Sequence, residues 1–194
     1  MSRLGTAYLR LLQAVGRRLD HGTNVFEREW DVLVVLDACR ADLLQSVAPD
    51  VGFLDTVETV RSVGSSSSEW LENTFLGRPE TARTVMVTGN TWTDRYLEAD
   101  TFAALDEVWK YAWDDDLGTV PPAATTDRAI TLARNRDPDR LVVHYMQPHH
   151  PFVPDPVAGD DGMARTGSHS NDANPWVLLR RGEITVERVR SAYR

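Results

Sequence analysis

The chain has 194 residues, 42% hydrophobic and 26% charged, which suits one globular domain of ordinary composition. A net charge of −8, with Lys110 the only lysine, argues against the basic surface that neutralises nucleic-acid phosphates, so no nucleic-acid partner is expected. The lone cysteine, Cys39, excludes an internal disulfide, and no stretch approaches the roughly 20 apolar residues of a membrane span.

Acid-rich, lysine-poor composition fits a salty cytoplasm, where screening relieves carboxylate repulsion. An arginine-favouring genome is the plainer account. A cytoplasmic location is expected. In chain order, Leu4, Tyr8, Leu11, Leu12, Val15 and Leu19 recur at helical spacing, while Arg3, Arg10, Arg17 and Arg18 fall largely outside that stripe. The arginines also break up any signal-peptide apolar region. Residues 3–19 suit a helix docked on its own domain, with weak membrane-surface contact as the alternative. Residues 1–29 are therefore set apart as amphipathic helix and linker, and 30–194 as the α/β domain.

Asp31 to Leu36 is a continuous apolar run rich in β-branched residues, as expected of a strand buried on both faces of a parallel sheet. Ala38 to Val47 reads as a helix, Thr56 to Val63 as a second strand and Glu69 to Leu76 as a helix ended by Gly77 and Pro79. Thr84 to Thr88 is a third strand, closed by Gly89 and Asn90. Asp94 to Trp113 is helix-prone but irregular, and Asp114 to Asp116 reads as a solvated turn because it lacks calcium-loop spacing. Thr126 to Asn135 is a helix capped by Thr125 or Thr126. Leu141 to Met146 is a fourth strand. Gln147 to Asn174 is a long loop, and Glu183 to Tyr193 starts a last helix. Alternating strands and helices imply a mainly parallel sheet with helices on both faces. Ligands in such folds gather at the carboxyl ends of the strands. Four places lie there: Asp37, the serines 65–68, Gly89 with Asn90, and Pro148 to Pro151.

Asp37 follows the first apolar run and can either hold a hard cation at the crevice or cap a helix. Arg40 and Asp42 can pair locally. Ser66 and Glu69 fit a capping box, yet a serine among the free N–H groups of a helix start is also poised as a nucleophile. His144 lies within a strand, where a hydrogen-bonded core role is the plain reading. His149 and His150 sit in a proline-fixed loop, which suits either a rigid turn or the binding of an anionic oxygen or a metal.

Three segments together, Val35 to Asp42, Gly64 to Trp70 and His144 to Phe152, resemble the sulfatase branch of the alkaline phosphatase superfamily, in that family's order and over roughly residues 30–194. The resemblance implies an alkaline-phosphatase-like fold and hydrolysis of a small anionic sulfate or phosphate ester. It implies a divalent metal ion (calcium, magnesium, manganese or zinc) with Asp37 as its first ligand. It places Ser66 as nucleophile, with Ser67 as the alternative. His149 would contact the substrate oxygens, with His150 and Asn90 beside it. The family pattern is broken at three places: Ala38 follows Asp37 instead of a second aspartate, no cysteine lies in the serine loop, and Trp70 replaces an arginine. No Asp-His pair follows Asp37, so the domain is expected to be incomplete at its C-terminal side. The alternative is a non-catalytic remnant or binding module of the same fold.

Overall fold

A computed structural model describes residues 22–160, 162–163 and 174–193. The amphipathic stretch expected over residues 3–19 lies outside them. Four strands, β1 (Val32–Leu36), β2 (Thr84–Thr88), β3 (Ala104–Glu107) and β4 (Arg140–Tyr145), form one all-parallel sheet in the order β1-β4-β2-β3. The helices are α1 (Ala41–Val47), α2 (Ser67–Phe75), α3 (Thr93–Tyr96), α4 (Pro122–Arg136), α5 (Pro175–Arg181) and α6 (Val186–Tyr193). The expected α/β class is therefore present.

The two faces of the sheet divide the core by strand alternation. On one face Val85, Val87, Leu141 and Val143 pack against Ala129 and Leu132 of α4. On the other, Met86 and Val142 meet Leu71 and Phe75 of α2, with Phe26 and Phe102 completing the cluster. A smaller cluster joins Phe152 and Val157 to Leu178 of α5 and Val189 and Ala192 of α6. Central β2 is buried at every position, as its apolar run predicts.

Several expectations are corrected. β1 is an edge strand: Leu33 and Val35 face the α2 side, but Val32, Val34 and Leu36 are exposed. Helix α4 covers β4 and β2, and among the described residues nothing covers that face of β1. Residues 56–63 form no strand, because their alternation finds no partner. The helix-prone stretch 94–113 holds a short strand, β3, between short helical turns, and the strand's acidic residues are held from outside by Arg128 on Asp106 and Lys110 on Glu107. Helix α4 starts four residues early at Pro122, where the missing proline N–H costs nothing; Pro121, not Thr125 or Thr126, is its cap. Helix α5, capped by Asn174 through the Trp176 and Val177 amides, follows the expected loop, over residues to which the sequence assigns no element.

Candidate active site

The carboxyl ends of β1, β4 and β2 meet because β4 is inserted between strands that precede it in sequence. The crevice rule therefore applies where Asp37, His144 and Asn90 stand side by side. The Asp37 amide continues the ladder to the Tyr145 carbonyl at 3.0 Å, which fixes its backbone. The chain then turns sharply. Ala38 takes a left-handed φ of +60°, a strained conformation for a residue with a Cβ. The Cys39 amide closes the turn on the Leu36 carbonyl at 3.1 Å. Asp37 caps no helix: α1 begins at Ala41, with Arg40 before it. Arg40 pairs with Asp42 at 2.8 Å in an exposed setting, worth little to stability.

Three donors converge on Asp37 Oδ2. Asn90 Nδ2 donates at 2.8 Å, Ser67 Oγ donates at 3.3 Å, and His144 Nε2 lies at 3.5 Å. The buried Asn90 is aimed by its own contacts: its Oδ1 accepts from the Trp92 amide at 2.9 Å, which turns the NH₂ toward Asp37. Its amide donates to Thr88 Oγ1 at 3.0 Å, and Thr88 Oγ1 lies 3.4 Å from His144 Nδ1. Trp70 of α2 packs edge-on against the His144 ring at 5.4 Å. Burial pushes the Asp37 carboxyl up, but the hydrogen bond and charge of His144, the charge of His149 and the Asn90 amide outweigh it. The group is held below the ordinary carboxylate range.

The serine loop separates the two candidate nucleophiles. Ser66 is the cap of α2, its Oγ accepting from the Glu69 amide at 3.4 Å and lying 3.0 Å from Ser68 Oγ. The return arm of the expected capping box is shifted by one residue, because Glu69 Oε2 accepts from the Ser65 amide at 3.0 Å and the Ser65 hydroxyl at 2.6 Å. Ser67 is the first helical residue, and its hydroxyl faces Asp37. Gly64 allows this loop to close: a Cβ there would stand 2.3 Å from the Trp70 amide nitrogen.

His149 follows the end of β4, its amide held by the Met146 carbonyl at 2.9 Å. Its Nδ1 donates to the His150 carbonyl at 2.6 Å, which places the ring's other nitrogen, Nε2, away from that bond. His150 does not join the group around Asp37. Its ring stacks beside His149 at 4.5 Å and presents Nδ1 to Asp160 at 3.5 Å.

Tyr193 is the residue that sequence reasoning missed. From α6 its hydroxyl donates to the Ala38 carbonyl at 2.6 Å and accepts from the Arg40 amide at 3.0 Å. No local pattern could signal a contact across that separation. Among the described residues, no group of three or more His, Cys, Asp or Glu side chains could hold a metal ion. Asp37 offers one ionised carboxylate and Ser67 one hydroxyl, so the described donors do not by themselves make a metal site. No helix among the described residues is long and apolar enough to cross a membrane. Comparison with known proteins finds no matching family model, no matching curated protein and no matching solved structure.

Proposed function

We propose that this chain carries the nucleophile-bearing part of a sulfatase-like hydrolase of small anionic sulfate or phosphate esters, with an alkaline-phosphatase-like sheet. The carrying observation is the convergence of Ser67 and Asn90 on Asp37 at the carboxyl end of a parallel sheet, with His149 in the loop that follows the neighbouring strand β4. In this reading Ser67, rather than Ser66, is the nucleophile. Its Oγ forms the bond to sulfur or phosphorus as the ester oxygen departs, and its proton passes to solvent water while Asp37 accepts the hydroxyl's hydrogen bond and orients it. The departing oxygen takes a proton from water or from His149. Water then releases the covalent intermediate. His149 steadies the charge that grows on the non-bridging oxygens.

The divalent cation rests on the family resemblance, and its remaining ligands would come from outside the described residues. Asp37, held ionised, is a weak base but a suitable anionic ligand. The direct test is hydrolysis of 4-nitrophenyl phosphate and 4-nitrophenyl sulfate with each candidate metal. Ser67→Ala should abolish turnover and Ser66→Ala should retain it. The reverse pattern would hand the role back to Ser66.

A second reading, a non-catalytic module of the same fold, is favoured by one observation. Asp37 Oδ2 already has three partners in Asn90, Ser67 and His144, as a purely structural carboxylate would. Metal titration separates the two. Stoichiometric binding that disappears in Asp37→Asn supports the hydrolase; no binding in the intact chain supports the module.

A further inference from the structure

A cleft of about 210 Å³, open to solvent, lies beside the candidate site. Its walls come from three elements: Pro122 of α4, the loop residues Pro148, Phe152 and Val153, and Tyr193 of α6. The Phe152 and Tyr193 rings meet edge-on at 6.0 Å. Two lining residues belong equally to the site. Tyr193 grips the turn after Asp37, and the charge of His149 acts on Asp37 itself. Among the described lining residues only His149 and Tyr193 are titratable, and none is a lysine, arginine or carboxylate. One polar feature remains. Gln147 lines the cleft, its Nε2 donates to the Val120 carbonyl at 3.2 Å, and its buried Oε1 has no hydrogen-bond partner. A buried acceptor without a donor is costly until a donor reaches it.

The geometry points to a subsite for an uncharged apolar ring that carries a hydrogen-bond donor. Proline and aromatic walls suit the face of a ring, and about 210 Å³, smaller than a drug-sized site, holds a single ring and little more. Because the cleft shares His149 and Tyr193 with the site, the ring is the alcohol half of the ester. That last identification rests on the hydrolase reading; the ring subsite does not.

The test is titration of the full chain with phenol and with anisole, which has the same ring but no donor, followed by amide chemical shifts. Phenol should give saturable shifts at Val153, Ala192 and Tyr193, with affinity above that of anisole by about fivefold, the effect of one hydrogen bond. Val153→Arg should weaken phenol binding by at least about tenfold. Pro154→Arg, at the exposed rim, serves the same purpose if the first variant does not fold. Shifts that fail to saturate, that cluster elsewhere, or that persist in the folded variant would overturn the subsite, and equal affinity for anisole would overturn the role of Gln147. Turnover of phenyl phosphate and methyl phosphate keeps the two ideas apart. Phenol binding without turnover of either ester removes the hydrolase and keeps the subsite. Equal turnover of both, with no phenol binding, does the opposite.

Discussion

The Tyr193 hydroxyl bonds the Ala38 carbonyl at 2.6 Å, joining helix α6 to the turn that presents Asp37. The same oxygen accepts from the Arg40 amide at 3.0 Å, so one side chain holds both sides of the turn. Tyr193→Phe removes both bonds and keeps the ring against Phe152. The expected loss is about 1 kcal/mol, the usual net worth of such a hydrogen bond. Urea unfolding reads that loss, and amide exchange at Arg40 should accelerate beyond it. Unchanged exchange at Arg40 would mean that the turn stands without Tyr193.

Asp37 gives the fold a defined acid limb. A carboxyl held below its unfolded value of about 4 contributes stability at higher pH, and loses it as pH falls through the folded value. Asp37→Asn has no such titration. Melting temperatures of the two proteins should therefore converge as pH drops from neutral into that window. Parallel curves would show that His144, His149 and Asn90 do not hold the carboxylate as described.

The serine pair separates stability from chemistry. Ser66 caps α2 through the Glu69 amide, so Ser66→Ala should destabilise by about 1 kcal/mol. Ser67 makes one long bond to Asp37 and sits at the first helical position, where alanine is well tolerated. Ser67→Ala should shift the denaturation midpoint by less than half as much. Equal midpoint shifts would dissolve the distinction drawn between cap and nucleophile.

Much of this was legible locally, and the rest was not for identifiable reasons. The apolar runs at 84–88 and 141–146 name strands wherever they stand in a sheet. The run at 31–36 names a strand equally well but not its neighbours, and long-range pairing puts β1 at the edge. β3 is only four residues long and two are acidic, so its sequence carries neither period; Arg128 and Lys110 supply the partners that make Asp106 and Glu107 tolerable there. At the site, Asp37 and Asn90 could be placed on one rim from strand ends alone, whereas the serines reach it at the start of α2 and not from the strand expected at 56–63, which does not form. Which serine faces Asp37 is set by the helix start falling at Ser67, a one-residue matter that boundary reasoning does not resolve.

The face of β1 left uncovered by the described residues predicts association. Val32, Val34 and Leu36 are 56%, 54% and 38% exposed on a strand without proline, lysine or a bulge, the features that usually protect an edge. The intact protein should sediment with a concentration-dependent coefficient. Val34→Lys should abolish that dependence while changing stability by less than about 0.5 kcal/mol. A constant coefficient for the unaltered protein would remove the basis for this prediction.

Ala38 carries the strain of the site, and two substitutions read it from opposite sides. A left-handed conformation costs an L-residue roughly 1–2 kcal/mol, and φ at this exposed position is +60°. Glycine removes that cost but adds about 0.5–1 kcal/mol of unfolded-chain entropy. Ala38→Gly should therefore be neutral or stabilising by up to about 1 kcal/mol. Ala38→Val places a branched side chain in the same conformation and should destabilise by about 2 kcal/mol or more. Because Ala38 is exposed, neither change is confounded by a lost core contact. Urea midpoints at unchanged slope measure both effects. The Asp37 turn is strained if glycine and valine shift the midpoint in opposite directions or if glycine leaves it unmoved while valine lowers it. If both lower it by a similar amount, the turn tolerates alanine without strain, and Tyr193 would then fasten a relaxed loop.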